Sequence, residues 1–99
     1  MVAAPAGAPG VDAALDAARE AAGDGSAVRA LFTDAGLSLL AGPWPECLRA
    51  AGATTSLCAR SARERGLSPE AVPGSVVWSS LTSFLAAAPA GHELWSLFP

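Results

Sequence analysis

Residues 75–98, SVVWSSLTSFLAAAPAGHELWSLF, decide how this chain is read. They hold Trp78 and Trp95, two of the three tryptophans, and Phe84 and Phe98, two of the three phenylalanines. Large apolar side chains are worth roughly 1.5–3 kcal/mol each when buried, so a compact fold has to use this stretch. At helical spacing Val77, Leu81, Phe84, Leu85 and Ala88 form one apolar stripe, opposite an uncharged face of Ser79, Ser80, Thr82 and Ser83. The pattern predicts a long helix over about 75–88, serving either the core or an interface. Pro89 interrupts it, and 91–98 reads as a terminal turn or short helix. The candidate interface or pocket residues are Trp78, Leu81, Phe84, Leu85, Trp95 and Phe98.

Moving toward the N-terminus, Ser68-Pro69-Glu70 starts a helix that Pro73-Gly74 breaks after one turn. Thr54 or Thr55 caps a predicted helix through SLCARSARER, which stops at Gly66. Trp44-Pro45-Glu46 opens a short helix ending at Gly52, with proline at the favoured first position. In the segment before it, Val28, Leu31, Phe32, Ala35 and Leu39 make another stripe, weakened by Gly36 by about 1 kcal/mol relative to Ala. Residues 11–22 are rich in strong helix formers, and Gly23 ends them. Residues 1–10, MVAAPAGAPG, are broken by Pro and Gly and lack the positive start of a secretory signal, so they read as a flexible tail. No run alternates with period two. The expectation is an all-α fold: a compact bundle of five or six short helices over 11–99, behind a disordered tail over 1–10.

Composition narrows the function. Of the 99 residues 24 are alanine, so the 52% apolar fraction buries little surface per residue and the core is thin. The net charge of −3 argues against a nucleic-acid binder held by phosphate contacts. Arg60, Arg63 and Arg65 cluster on one segment, but Glu64 lies among them and a solvated helix face explains them. Residues 71–91 carry no charge, yet Pro73, Gly74 and Pro89 make a membrane span a poor reading. Cys47 and Cys58 read as reduced thiols packing as small apolar groups in a cytoplasmic compartment.

Chemistry is sparsely supplied. His92 is the only histidine, and there is no lysine or tyrosine. Gly36-Leu37-Ser38 is half of a nucleophile elbow with no strand before it. Cys47, Cys58 and His92 are too few and too scattered for a metal site, and no glycine-rich loop follows a strand. Residues 62–72 have the outline of a helix-turn-helix, but Pro73-Gly74 cut the second helix too short to read a groove. The chain is therefore expected to be non-catalytic, with no cofactor and no metal.

One longer likeness bears on function. Trp78, Leu81, Phe84 and Leu85, followed by Ala90-Gly91-His92, resemble the late core helix in the C-terminal ligand-binding and dimerisation domain of TetR-type transcriptional regulators. The likeness covers about fifteen of the residues, and Thr82-Ser83 stand where that family often has His-Gly. It implies a ligand-sensing domain without its DNA-binding part, holding a small apolar ligand in a cavity lined by Trp78, Phe84 and Leu31. The reading placed first is a small, soluble helical module that works through contact with a protein partner or by self-association, with its aromatic C-terminal helix as the anchor.

Overall fold

Three short runs, each too brief to show a helical period, are β-strands. They are β1, Arg29–Phe32, β2, Thr54–Cys58, and β3, Val77–Ser79. They form a parallel sheet in the order β1-β2-β3, with Phe32 beside Leu57 and Cys58 beside Ser79. The expected all-α helical bundle is thereby corrected to a mixed α/β fold. The physical reason lies in parallel pairing. A parallel strand covered on both faces has no solvent side, so its sequence lacks the polar–apolar alternation that marks a half-exposed strand. Leu31, Phe32 and Leu57 are fully buried, and Thr55, Ser56 and Cys58 nearly so. The β-branched pair Thr54-Thr55, read as a cap, is the start of the central strand.

The computed structural model describes residues 1–97; Phe98 lies outside them. Helix α1, Val11–Gly23, precedes β1 and stands where the sequence places it. A 3-10 segment, Asp34–Ala41, and α2, Trp44–Ala51, carry the chain from β1 to β2. Helix α3, Ala59–Glu64, and a single 3-10 turn, Pro69–Ala71, carry it from β2 to β3. Parallel neighbours require such crossovers, because a tight turn can only reverse the chain. Val11 and Leu15 of α1 and Leu48 of α2 join Phe32 and Leu57 in one core. After β3 only six residues, Leu81–Ala86, form α4. The helix expected over 75–88 is thus a strand and a short helix, hinged at Ser80. Trp78 lies on β3, not on a core helix of the kind the TetR-type likeness implies.

The N-terminal residues are built into the sheet, correcting the expected disordered tail. Val2 pairs in parallel with Phe32 on one side and with Leu97 on the other. The Val2 amide donates to the Leu31 carbonyl at 2.8 Å, and the Thr33 amide donates to the Val2 carbonyl at 3.0 Å. Beyond Val2, the Ala3 amide donates to the Leu97 carbonyl at 2.8 Å. Val2, Ala3 and Ala4 are all buried. Gly36 makes room for them: a Cβ there would overlap the Val2 carbonyl oxygen. No helix among the described residues is long and apolar enough to cross a membrane.

Candidate functional site

In an open parallel sheet the carboxyl ends of the strands gather on one side, and ligands meet the fold in the crevice outside them. Here that side is polar. Thr33 and Asp34 follow β1, Cys58 closes β2, and Ser79 closes β3 with Ser80 after it. Cys58 sits at the end of the central strand with extended backbone, as the residue that caps α3. It is 8% exposed. Burial pushes its thiol up, because a charged sulfur loses water. Against this, the amides of Ser61 and Arg60 and the hydroxyls of Ser61 and Thr33 stand near the sulfur as donors and favour its charged form. Together they outweigh burial, and the Cys58 thiol is held below its ordinary value.

The two hydroxyls are themselves fixed. Thr33 Oγ1 and Ser61 Oγ lie 2.9 Å apart, and the Ser61 hydroxyl is 3.4 Å from Asp34 Oδ1, to which it donates. Two hydroxyl protons therefore serve the sulfur, the carboxylate and each other's oxygens. When Ser61 turns its proton toward Asp34, Thr33 is left to face the sulfur or Ser61. Asp34 holds its place with φ of 48°, a left-handed backbone that costs a non-glycine residue of order 1 kcal/mol or more. That turn is what aims the carboxylate back at Ser61. Ser61 is buried, Thr33 half-buried and Asp34 exposed, so the cluster grades outward to the surface.

The residues that the sequence singled out do not converge into one site. Phe84 is buried, and the Arg29 guanidinium both stacks over its ring, 4.3 Å from the centroid, and donates to its carbonyl at 3.0 Å. Trp78 is half-buried against the core. Leu81, Leu85 and Trp95 are 40–48% exposed, and Phe98 falls outside the described residues. A groove of about 470 Å³ runs between α1 and the C-terminal segment. Phe84, Leu85 and Trp95 line it, but Trp78, Leu81 and Leu31 do not. Among the described residues no three of His, Cys, Asp and Glu stand where they could hold a metal ion. His92 is tied to the Pro89 carbonyl at 3.0 Å. Cys47, on α2, and Cys58 are both free thiols.

Reading from the sequence did not single out Cys58 as a candidate functional residue. The signal was the order TTSL-C-ARSARE: β-branched and apolar residues, one cysteine, then helix formers. Taken as strand, cysteine, helix, it puts the thiol at a carboxyl end; taken as one helix, the cysteine is merely another core residue. Compared with known protein families and with curated proteins, the chain matches none.

Proposed function

We propose that the chain is a thiol protein whose working group is Cys58, making and releasing a covalent bond to the sulfur of a partner. The observation that supports this reading is the place of Cys58 at the carboxyl end of the central strand, beside the Thr33–Ser61 hydroxyl pair, where neighbouring donors favour the thiolate in spite of burial. The thiolate is the nucleophilic form. It attacks one sulfur of a partner disulfide or persulfide, the new S–S bond forms as the old one breaks, and the electron pair leaves on the other partner sulfur. No outside oxidant enters this exchange. Cys58 is a buried residue, which favours slender electrophiles of that kind over bulky ones. The role is that of a carrier rather than a turnover enzyme, since the single histidine is held elsewhere by Pro89. It belongs to a reducing compartment, in keeping with a cytoplasmic location.

The test is the pH dependence of Cys58 alkylation by iodoacetamide in a Cys47→Ser background. The rate is expected to rise with a midpoint below that of an unperturbed thiol, and Ser61→Ala is expected to move the midpoint up. A midpoint at or above the ordinary value, or one indifferent to Ser61, sinks the reading. A second reading, contact with a protein partner through the C-terminal third, is supported by a different observation. The exposed large hydrophobics among the described residues are Val77, Leu81, Leu85, Leu94 and Trp95, all within 77–95.

A further inference from the structure

Arg29 differs from the other five arginines of the chain. Arg19, Arg49 and Arg60 each pair with a carboxylate on their own helix, and Arg63 and Arg65 are exposed to water. Arg29, on β1, is half-buried, and among the described residues no carboxylate stands within ion-pair distance of it. Its Nη1 donates to the Phe84 carbonyl, and its guanidinium lies over the Phe84 ring. A guanidinium offers five N–H donors in a planar fork, so most of this fork has no acceptor among the described residues. An aromatic face offsets part of the cost of drawing a cation out of water. Charges drawn into a protein are nevertheless normally matched by an opposite charge.

Arg29 stands in the wall of the groove between α1 and the C-terminal segment. The groove volume, about 470 Å³, falls within the range of small-molecule sites, about 300–1,000 Å³. Most of its wall is apolar: Ala14, Ala18 and Ala21 of α1 leave the space, and Leu94 and Trp95 stand among the residues around it. The other ionisable groups of the wall are engaged. The Met1 ammonium donates to the Trp95 carbonyl, Glu93 accepts from Trp95 Nε1, and the His92 ring is bonded to the Pro89 carbonyl. Burial also pushes the Met1 ammonium below its ordinary value, which leaves Arg29 as the lasting cation of the groove. An apolar groove with one unmatched guanidinium fits an amphiphile with a single anionic head. We infer that the groove binds a free fatty carboxylate, its head on the unpartnered N–H groups of Arg29 and its alkyl tail along the alanines of α1. The inference depends on neither Cys58 nor contact with a protein partner.

The test is calorimetric titration of the full chain with sodium decanoate, beside decanol, which has the same tail without the charge. Decanoate is expected to bind in the micromolar range, and decanol about tenfold more weakly or worse, as befits the loss of a charge-assisted hydrogen bond. Arg29→Met keeps an apolar stem and should bring decanoate down to the affinity of decanol, while decanol binds as before. Ala18→Phe fills the groove and should abolish the binding of both. Circular dichroism checks that the variants fold, and the comparison of the two ligands on the wild-type chain needs no variant. The proposal is overturned if decanoate does not bind, if decanol binds as tightly, or if folded Arg29→Met or Ala18→Phe binds decanoate like the wild type. Binding to vesicles of anionic phospholipid without binding to decanoate would make the groove a membrane contact, and overturns it too.

Discussion

A thiol surrounded by apolar side chains keeps its proton, and Cys58 departs from this because donors reach the sulfur from two strand ends at once. The amides of Arg60 and Ser61 come with the turn into α3, but the Thr33 hydroxyl comes from the end of β1. The folded state therefore favours the thiolate more than the unfolded chain does. Between the folded value and the ordinary thiol value, near 8.5, the unfolded chain holds the proton and the folded one has lost it, so stability rises with pH there. The contribution is fully present above the ordinary value and disappears as pH falls through the depressed one. Cys58→Ser should flatten this rise. Urea unfolding of both chains across neutral to alkaline pH checks it, and parallel curves would contradict the hydrogen-bond account. The reading of both cysteines as small apolar groups meets a buried Cys58 and a half-buried Cys47. The donors around Cys58 were invisible in the sequence because Thr33 and Ser61 are 28 residues apart, and nothing local says that they touch.

At the level of elements, helices with their own boundary signals were legible and strands were not. Helix α1 has good helix formers and a glycine stop, and α2 has proline within its first turn and a left-handed glycine, Gly52, after its end. These signals are local, so the sequence carries them whole. A strand of three to five residues offers no such signal when both its faces are covered. Leu31-Phe32, Thr55-Ser56-Leu57 and Val76-Val77-Trp78 fit helical spacing only because each is shorter than one helical repeat of the apolar pattern. The stripe Val77, Leu81, Phe84, Leu85 misled for the same reason: the chain changes from strand to helix inside it. Ser80 marks the change. Its hydroxyl accepts a hydrogen bond from the Ser83 amide at 3.0 Å, capping α4. A six-residue helix depends heavily on its cap and on tertiary packing, here Phe84 under Arg29. Ser80→Ala should cost about 1 kcal/mol, read as faster amide exchange confined to α4. Exchange that quickens equally across the whole sheet would mean that α4 does not unfold on its own.

For the molecule as a whole, the ends of the described chain are structural members. Val2 lies between Phe32 and Leu97, and Gly36 admits it by lacking a side chain. Gly36 read in sequence as a weak point in a helix; its place beside the Val2 backbone turns that weakness into a requirement of packing. Gly36→Ala should force the 3-10 segment and the N-terminal residues apart and cost about 2–3 kcal/mol or more, measured by urea unfolding together with amide exchange at Val2 and Thr33. An unchanged Val2 amide would show that the segment yields elsewhere. The same arrangement has a consequence for how the protein is made. The Met1 ammonium donates to the Trp95 carbonyl across 94 residues of sequence, so one side of Val2 waits until residues 95–97 have been translated. Pairings this distant are slow to form, since the intervening loop must close first. On the ribosome Val2 can dock against β1 early, but its outer side stays bare until the Leu97 region has left the exit tunnel. During that interval the nascent chain exposes two unpaired edges, and it is then that a chaperone would have the most to hold.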